Sequence, residues 1–320
     1  MEKIVVCICT RGRPILFRAC LDSLTSVIHP NGYGVDILVI DNNDAKDVVV
    51  SDACRSVGAR YRHEPEAGLS AARNAGLATA LVMGADWIAF IDDDEVADRL
   101  WLVRFMEALN TYAYAVPASP CVHCGKPHAE PIRLVDAVHG TIRYAYPPES
   151  AMWRRRAPWG SWGDVDGKDL DCAGTGNVIF RASIVREHGL RFDAAHNASG
   201  QEDTEFFRQF HAVGGRIILS TLAVVTETVT ADRLTLAGHW RKAYRNGHYK
   251  VSGKHRRRRA TRRIVGGVLK IAVSPLLLVG GWTPPMKTAL SGLLNISEAA
   301  GTLHALCGGV FEYYKKTTGY

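Results

Sequence analysis

The sequence lacks any uninterrupted apolar run of the roughly 20 residues that a bilayer-crossing helix needs. Its nearest approach is Ile264–Gly281, 18 residues interrupted by one charge, Lys270, and by Pro275. A polytopic membrane protein is therefore excluded. A secretory leader is not expected either, because Arg11 and Arg13 cut short the apolar run Ile4–Cys9. The chain also has little surplus charge. It carries 39 Lys and Arg against 32 Asp and Glu, and the segment from Lys254 to Arg263 alone holds seven basic residues and no acid. Without that segment the body is neutral, which argues against a broad nucleic-acid-binding face. No second cysteine pair follows Cys121 and Cys124 at zinc-site spacing, although His123 and His128 lie near them. The eight cysteines are expected to be reduced thiols in a cytosolic body. With 47% apolar and 22% charged residues, disordered and collagen-like chains are excluded as well.

What is present is an alternation of two periods. Ile4–Cys9 reads as a buried strand, and Pro14 opens a helix with Ile15, Leu16, Ala19, Leu21 and Leu24 inward. Val35–Ile40, Ala59–His63 and Asp86–Ile91 read as further strands. Helical patterns fill the intervals, the last being Gly68–Met83. Such alternation predicts right-handed βαβ units: an α/β, Rossmann-like, mostly parallel sheet with helices on both faces. Polar residues follow the strands directly, at Thr10, Asp41 and Asp92. Open α/β sheets bind ligands beyond the carboxyl ends of their strands.

Residues 117–170, rich in Pro, Gly and Trp (Trp153, Trp159, Trp162), read as a long loop over a site. Strands are expected at Gly176–Arg181, Arg216–Leu219 and Ala223–Thr226, and helices at Glu202–Val213 and Leu234–Val251. This gives a catalytic domain over 1–253, with halves 1–116 and 117–253, followed by a C-terminal region over 254–320. In that region Ile264–Gly281 and Met286–Val310 are expected to pair as a hairpin against a membrane surface. A helix of 18 residues is about 27 Å long, short of a hydrocarbon core, and basic residues near anionic headgroups contribute roughly 1 kcal/mol each. Packing of these helices on the body is the alternative.

The chemistry concentrates in two acidic clusters. In Asp92-Asp93-Asp94, neighbouring carboxylates repel unless a cation neutralises them, and Mg²⁺ or Mn²⁺ prefers such oxygen ligands together with substrate phosphates. Asp41 is placed to accept from the imide N–H of a uracil. Arg73, on the helix entering the same crevice, has a fork suited to phosphate oxygens. The second cluster, Glu202-Asp203 at a helix start, reads either as a capping device or as the source of a general base for an attacking hydroxyl.

In chain order, Val5–Pro14, Val39–Asn43, Gly68 to Asn74, Phe90–Glu95 and Gly200 to Thr204 resemble the family 2 inverting glycosyltransferases with the GT-A fold, over about residues 3–250. Within that family the resemblance is to bacterial exopolysaccharide glucosyltransferases of the succinoglycan type. It implies that Asp92 and Asp94 bind a Mn or Mg ion and that Asp203 is the base, with Glu202 helping to place the acceptor. Thr10, Arg13, Asp41, Arg73, Asp92 and Asp93 would bind a UDP-sugar, and Trp240 and Arg245 would close over its diphosphate. The acceptor would be a polyprenyl-linked saccharide at the cytoplasmic face of the inner membrane, reached through residues 254–310. One departure is the absence of a His in Val225-Thr226-Glu227-Thr228, which leaves Glu227 or water to complete a metal shell. A nucleotidyltransferase fits less well, because Thr10–Pro14 lacks a Gly-rich triphosphate loop. A nucleotide-binding membrane scaffold without chemistry is disfavoured by the acid pair at 202–203.

Overall fold

The structure, a computed structural model, describes residues 1–115, 132–150, 163–196, 201–249 and 285–309, with scattered positions between 261 and 272. The Cys121/Cys124 pair, Trp153, Trp159, Trp162, Gly200 and the basic run from 254 to 260 lie outside the described residues, as does most of 264–281. The chain divides into two compact units. Of the described residues, one unit takes 1–143 and 163–227, the other 144–150 and 228–309.

The first unit is built on β1 (Glu2–Thr10), α1 (Pro14–Thr25), β2 (Tyr33–Asp41), α2 (Val48–Val57), β3 (Arg60–His63), α3 (Leu69–Val82) and β4 (Trp87–Asp92). β5 (Glu95–Ala97) and α4 (Trp101–Thr111) follow. After the short strands β6 (Tyr114–Ala115) and β7 (Ile132–Arg133) come β8 (Ala137–Ala145), β9 (Asp169–Leu170), β10 (Asn177–Arg181), α5 (Ala182–His188), α6 (Glu202–Ala212) and β11 (Ile217–Thr228). The main sheet runs β3-β2-β1-β4-β10-β8-β11-β5, with β9 on β11.

The sheet is mixed, which corrects the expectation of a mostly parallel one. β3, β2, β1 and β4 are parallel neighbours, whereas β10 runs antiparallel to β4 and to β8, and β11 antiparallel to β5 and β9. The βαβ pattern governs the first four strands only. An antiparallel neighbour needs no helical crossover, so nothing in the later sequence advertises it. Two further differences have the same origin. The region read as one long loop contains the nine-residue strand β8, and the two strands expected around 216–226 form the single strand β11.

Helices do cover both faces. On one side Ile4, Val6 and Ile8 of β1 pack with Phe17, Leu21, Cys54, Trp101 and Phe105 from α1, α2 and α4. On the other, Val5 and Cys7 pack with Ala72, Ala75, Phe206 and Phe207 from α3 and α6. β1 is thus buried on both faces, which is why it reads as a continuous apolar run. Pro14 sits in the first turn of α1 as expected, but the buried face is Phe17, Cys20, Leu21 and Leu24, and Ile15 is 77% exposed.

Asn177 fastens the antiparallel half. Fully buried, it donates to the carbonyls of Thr141 (2.9 Å) and Ala223 (3.0 Å) and accepts from Trp101 Nε1 (2.8 Å), so β10, β8, β11 and α4 share one side chain. Beneath α6, Phe180 meets Phe207 edge-on at 5.5 Å and lies 6.1 Å from Phe90 in a stacked pair.

In the second unit α7 (Leu236–Tyr249) packs along α8 (Pro285–Leu306), burying Ala243, Leu290 and Leu294. Ser297 donates to the Trp240 carbonyl (2.7 Å) and Thr302 to that of Gly247 (2.9 Å). Helix α8 thus packs on α7, and the hairpin expected between it and 264–281 falls largely outside the described residues. Small residues such as Gly247 and Gly301 allow the close approach: a Cβ at Gly301 would strike the Tyr244 carbonyl. Among the described residues no helix is long and apolar enough to cross a membrane.

Phe180→Ala empties the space shared by Phe90, Phe206, Phe207 and Phe210 and is expected to cost about 3–5 kcal/mol. Urea unfolding checks this through a lowered midpoint with an unchanged slope.

Candidate functional site

The site forms where the parallel strands end. Asn42 holds that edge together: its N–H donates to the Thr10 carbonyl (2.9 Å), its side-chain amide donates to the carbonyls of Glu64 (2.8 Å) and Glu66 (2.7 Å), and its Oδ1 accepts from Gly68 N–H (3.0 Å). Gly68 turns the chain into α3 at φ 141° and ψ 152°, a region essentially restricted to glycine. This turn aims the first turns of α3, and with them Arg73, at the acidic residues that end β4.

Asp41, expected to meet a base, ends β2 at this same edge. It is fully buried. Its Oδ1 accepts from Asn43 N–H (3.0 Å) and Asn43 Nδ2 (2.8 Å), and its Oδ2 from Asp47 N–H (2.8 Å) and Tyr61 OH (2.6 Å). Burial raises its pKa, but these four donors outweigh burial and hold it below the usual carboxylate range. Asp41 shapes the loop after β2.

The triple aspartate is divided between two arginines. Arg13 Nη1 contacts Asp93 Oδ1 (3.2 Å) and Asp94 Oδ2 (3.1 Å), and Thr10 Oγ1 donates to Asp93 Oδ2 (2.8 Å). Burial, aided by Asp94 and Asp92, pushes the Asp93 pKa up to about 7 against the pull of Arg13 and Thr10. Asp92, whose side chain is 46% exposed, contacts Arg73 Nη2 through Oδ1 at 3.5 Å. The other terminal nitrogen of Arg73 donates to Glu202 Oε1. One buried guanidinium therefore faces both acidic clusters, the one ending β4 and the one opening α6.

Asp203 follows Glu202 in the first turn of α6. Its Oδ1 accepts from Thr204 N–H (2.6 Å), and the side chain is half-buried. The pKa of Asp92 is raised by burial, and by the charges of Asp94 and Asp203 acting against Arg73 and Arg13, so Asp203 lies within electrostatic reach of Asp92. Arg73, in contact with both Asp92 and Glu202, lies between the two clusters. Glu202 is 2% exposed and its recorded partner is Arg73, so the carboxylate expected to touch an acceptor is engaged by a neighbouring cation instead.

Sequence reasoning missed the roles of Glu95 and His139 in the crevice, whereas Glu227 was already a candidate for a metal shell. Glu95 accepts from Asp92 N–H (3.0 Å), and burial raises its pKa well above the usual range, with Asp92, Asp94 and Glu227 adding to the shift. Glu227 lies opposite Glu95 in the β11–β5 pair. At Gly176 a Cβ would sit 2.8 Å from Glu95 Oε1 and 3.3 Å from Asp92 Oδ2, so a side chain there would crowd both acids. Thr175 beside it is 1% exposed, with an unpartnered hydroxyl. His139 on β8, 1% exposed, has its pKa lowered to about 4 by burial, although Gly140 and the charge of Asp203 oppose the shift. Residues 137–140 of that strand are all buried, so no alternation marked it within loop-like sequence. Trp240 and Arg245 lie on α7 in the second unit, Trp240 being 40% exposed.

Among the described residues no group of three or more His, Cys, Asp and Glu is arranged to hold a metal ion. Asp92 and Asp94 nonetheless fit the oxygen chemistry of Mg²⁺ or Mn²⁺, which takes one or two protein carboxylates when substrate phosphates supply further ligands. Arg73 and Arg13 carry the counter-charge at these two carboxylates.

A mixed sheet whose parallel strands end in an acidic cluster, with further acids brought up on a later helix, is the arrangement of the GT-A glycosyltransferases. The chain is similar to S. aureus TarS 1-349 in complex with UDP, with a TM-score of 0.52 at 13% identity over 98% of this chain and 93% of that one. It is also similar to TarS 1-349 in complex with UDP-GlcNAc, with a TM-score of 0.51 at 11% identity and the same coverage. Of a longer TarS structure the chain spans 55%, with a TM-score of 0.51. At such identities the likeness establishes the fold. The chain belongs to glycosyl transferase family 2, whose sequence model matches residues 5–187. It is 30% identical over 249 residues to the succinoglycan biosynthesis protein ExoM of Rhizobium meliloti (strain 1021), covering 75% of this chain and 71% of that protein.

His139 supplies a pH test. Its folded pKa of about 4 lies below the ordinary value of 6.5, so its neutral form favours the fold above pH 6.5. That contribution, of the order of 3 kcal/mol, is lost as pH falls from 6.5 towards 4. His139→Gln is expected to flatten this part of the curve of melting temperature against pH, and an identical acid limb in both proteins would contradict the assignment.

Proposed function

We propose that the protein is an inverting hexosyltransferase that moves a sugar, glucose being our first choice, from a UDP-sugar to a hydroxyl of a polyprenyl-linked saccharide in exopolysaccharide synthesis. The observation that carries this reading is Arg73, which joins the donor-side Asp92 to the helix start that bears Asp203. A single sugar can then meet a leaving-group site and a base.

The roles follow from position. Asp203, half-buried and held by Thr204, takes the proton of the attacking hydroxyl. Attack from its side, opposite the diphosphate, inverts the anomeric carbon. Arg13 and Arg73 provide positive charge beside the departing diphosphate. Thr10 and Arg13 keep Asp93 in place. Asp92 and Asp94 would hold a divalent cation, which when bound offsets the charge of the leaving diphosphate. Asp41 acts through the loop that it shapes.

The proposed acceptor places the reaction at the cytoplasmic face of the inner membrane. The basic sequence Lys254 to Arg263 supports a surface contact with anionic lipid, and the ExoM relationship supports a saccharide acceptor.

Asp203→Asn should retain UDP binding and lose transfer by roughly 100-fold or more. Radiolabelled transfer into a lipid extract measures this, and undiminished turnover would remove the proposed base. Asp94→Ala should weaken UDP binding with Mn²⁺ present and leave it unchanged in chelator. Calorimetry that showed equal loss in both conditions would contradict a metal role.

A further inference from the structure

We propose that Glu202 is a positioning residue for Arg73 on the donor side of the site, and that this pair transmits donor occupancy to the start of α6, where Asp203 sits. The inference rests on the nucleotide-sugar reading above and gives Glu202 a task different from acceptor contact.

The two acids of the pair have different environments. Asp203 is half-buried and open to the crevice, whereas Glu202 is 2% exposed, too covered to meet an incoming saccharide. Its Oε1 accepts from Arg73, and its Oε2 is buried with no hydrogen-bond partner. An orphaned carboxylate oxygen inside a protein calls for an explanation, and the neighbouring guanidinium offers one. Arg73 Nη2 contacts Asp92 at 3.5 Å, the limit of a hydrogen bond. Once donor and cation engage Asp92, Nη2 has Oε2 as its alternative acceptor. A small rotation then makes the two-bond fork that arginine forms with carboxylates. The orphaned oxygen is satisfied and Asp92 is released in one movement.

The start of α6 is where such a change would register. Its N-cap, Gln201, makes no side-chain capping bond and adopts φ 75°, the single positive φ at a non-glycine position among the described residues. With neither a cap nor a relaxed backbone, this turn relies on the ion pair for support. Phe206, Phe207 and Phe210 hold the rest of the helix in the core. Tightening the pair thus fixes the first turn, and with it Asp203, when donor is in place.

The test is binding of UDP with Mn²⁺ to the full chain, by calorimetry, together with amide hydrogen exchange. Glu202→Gln is expected to lower UDP affinity by roughly ten- to a hundredfold, the scale of one lost charge-assisted contact, and Asp203→Asn to leave it unchanged. In the unmodified protein, UDP with Mn²⁺ should slow exchange across residues 201–208. Wild-type UDP affinity in Glu202→Gln overturns the proposal, whether transfer is lost or only the melting temperature falls. If that variant does not fold, unchanged exchange at 201–208 in the UDP-bound wild type overturns it alone. Failure of the wild type to bind UDP at all removes the nucleotide-sugar reading, and this inference with it.

Discussion

The site depends on a buried guanidinium held between carboxylates that belong to distant parts of the chain. Removing one partner of such a contact leaves a charge stranded away from water, which typically costs about 3–5 kcal/mol. Arg73 is 6% exposed and so cannot turn to solvent for compensation. Its position is set by the Gly68 turn on one side and by α6 on the other. The architecture around it can be understood as the means of bringing those two elements to one point.

The division of the sheet reflects the same requirement. Parallel strands deliver their carboxyl ends to one edge, which is how Thr10, Asp41 and Asp92 come together. In the other half, fastened through Asn177, β10 runs the other way and brings Gly176 to that edge, while β8, antiparallel to β10, runs with the parallel strands and carries His139. Four acidic residues in a row, Asp92 to Glu95, are tolerable because arginine pairing and burial together offset their charge. Arg73 answers for Asp92, Arg13 for Asp93 and Asp94, and burial shifts Glu95 towards its neutral form.

Much of this was legible in the sequence where local pattern and tertiary role coincide. β1, β2 and β4 are buried on both faces, so their apolar runs announced them, and the polar residues that end them marked the site. Legibility failed where a partner distant in sequence decides the outcome. The anchoring of Asp41 by Tyr61 was not visible, because the two are joined only by strand pairing. Glu202 looked like half of an acceptor pair because Arg73 lies 129 residues away. β8 was hidden because strand pairing with β10 is a property of the folded sheet.

The contact between α7 and α8 bears on how the chain can be divided. Ser297 and Thr302 offer their hydroxyls to carbonyls of α7, and Ala243 is sealed against Leu290 and Leu294. A protein shortened after residue 253, the boundary suggested by the change in composition, would strip α7 of this cover and leave a greasy, hydroxyl-starved surface prone to clumping. Residues 285–306 are then better regarded as a buttress of α7 to be kept than as a tail to be trimmed.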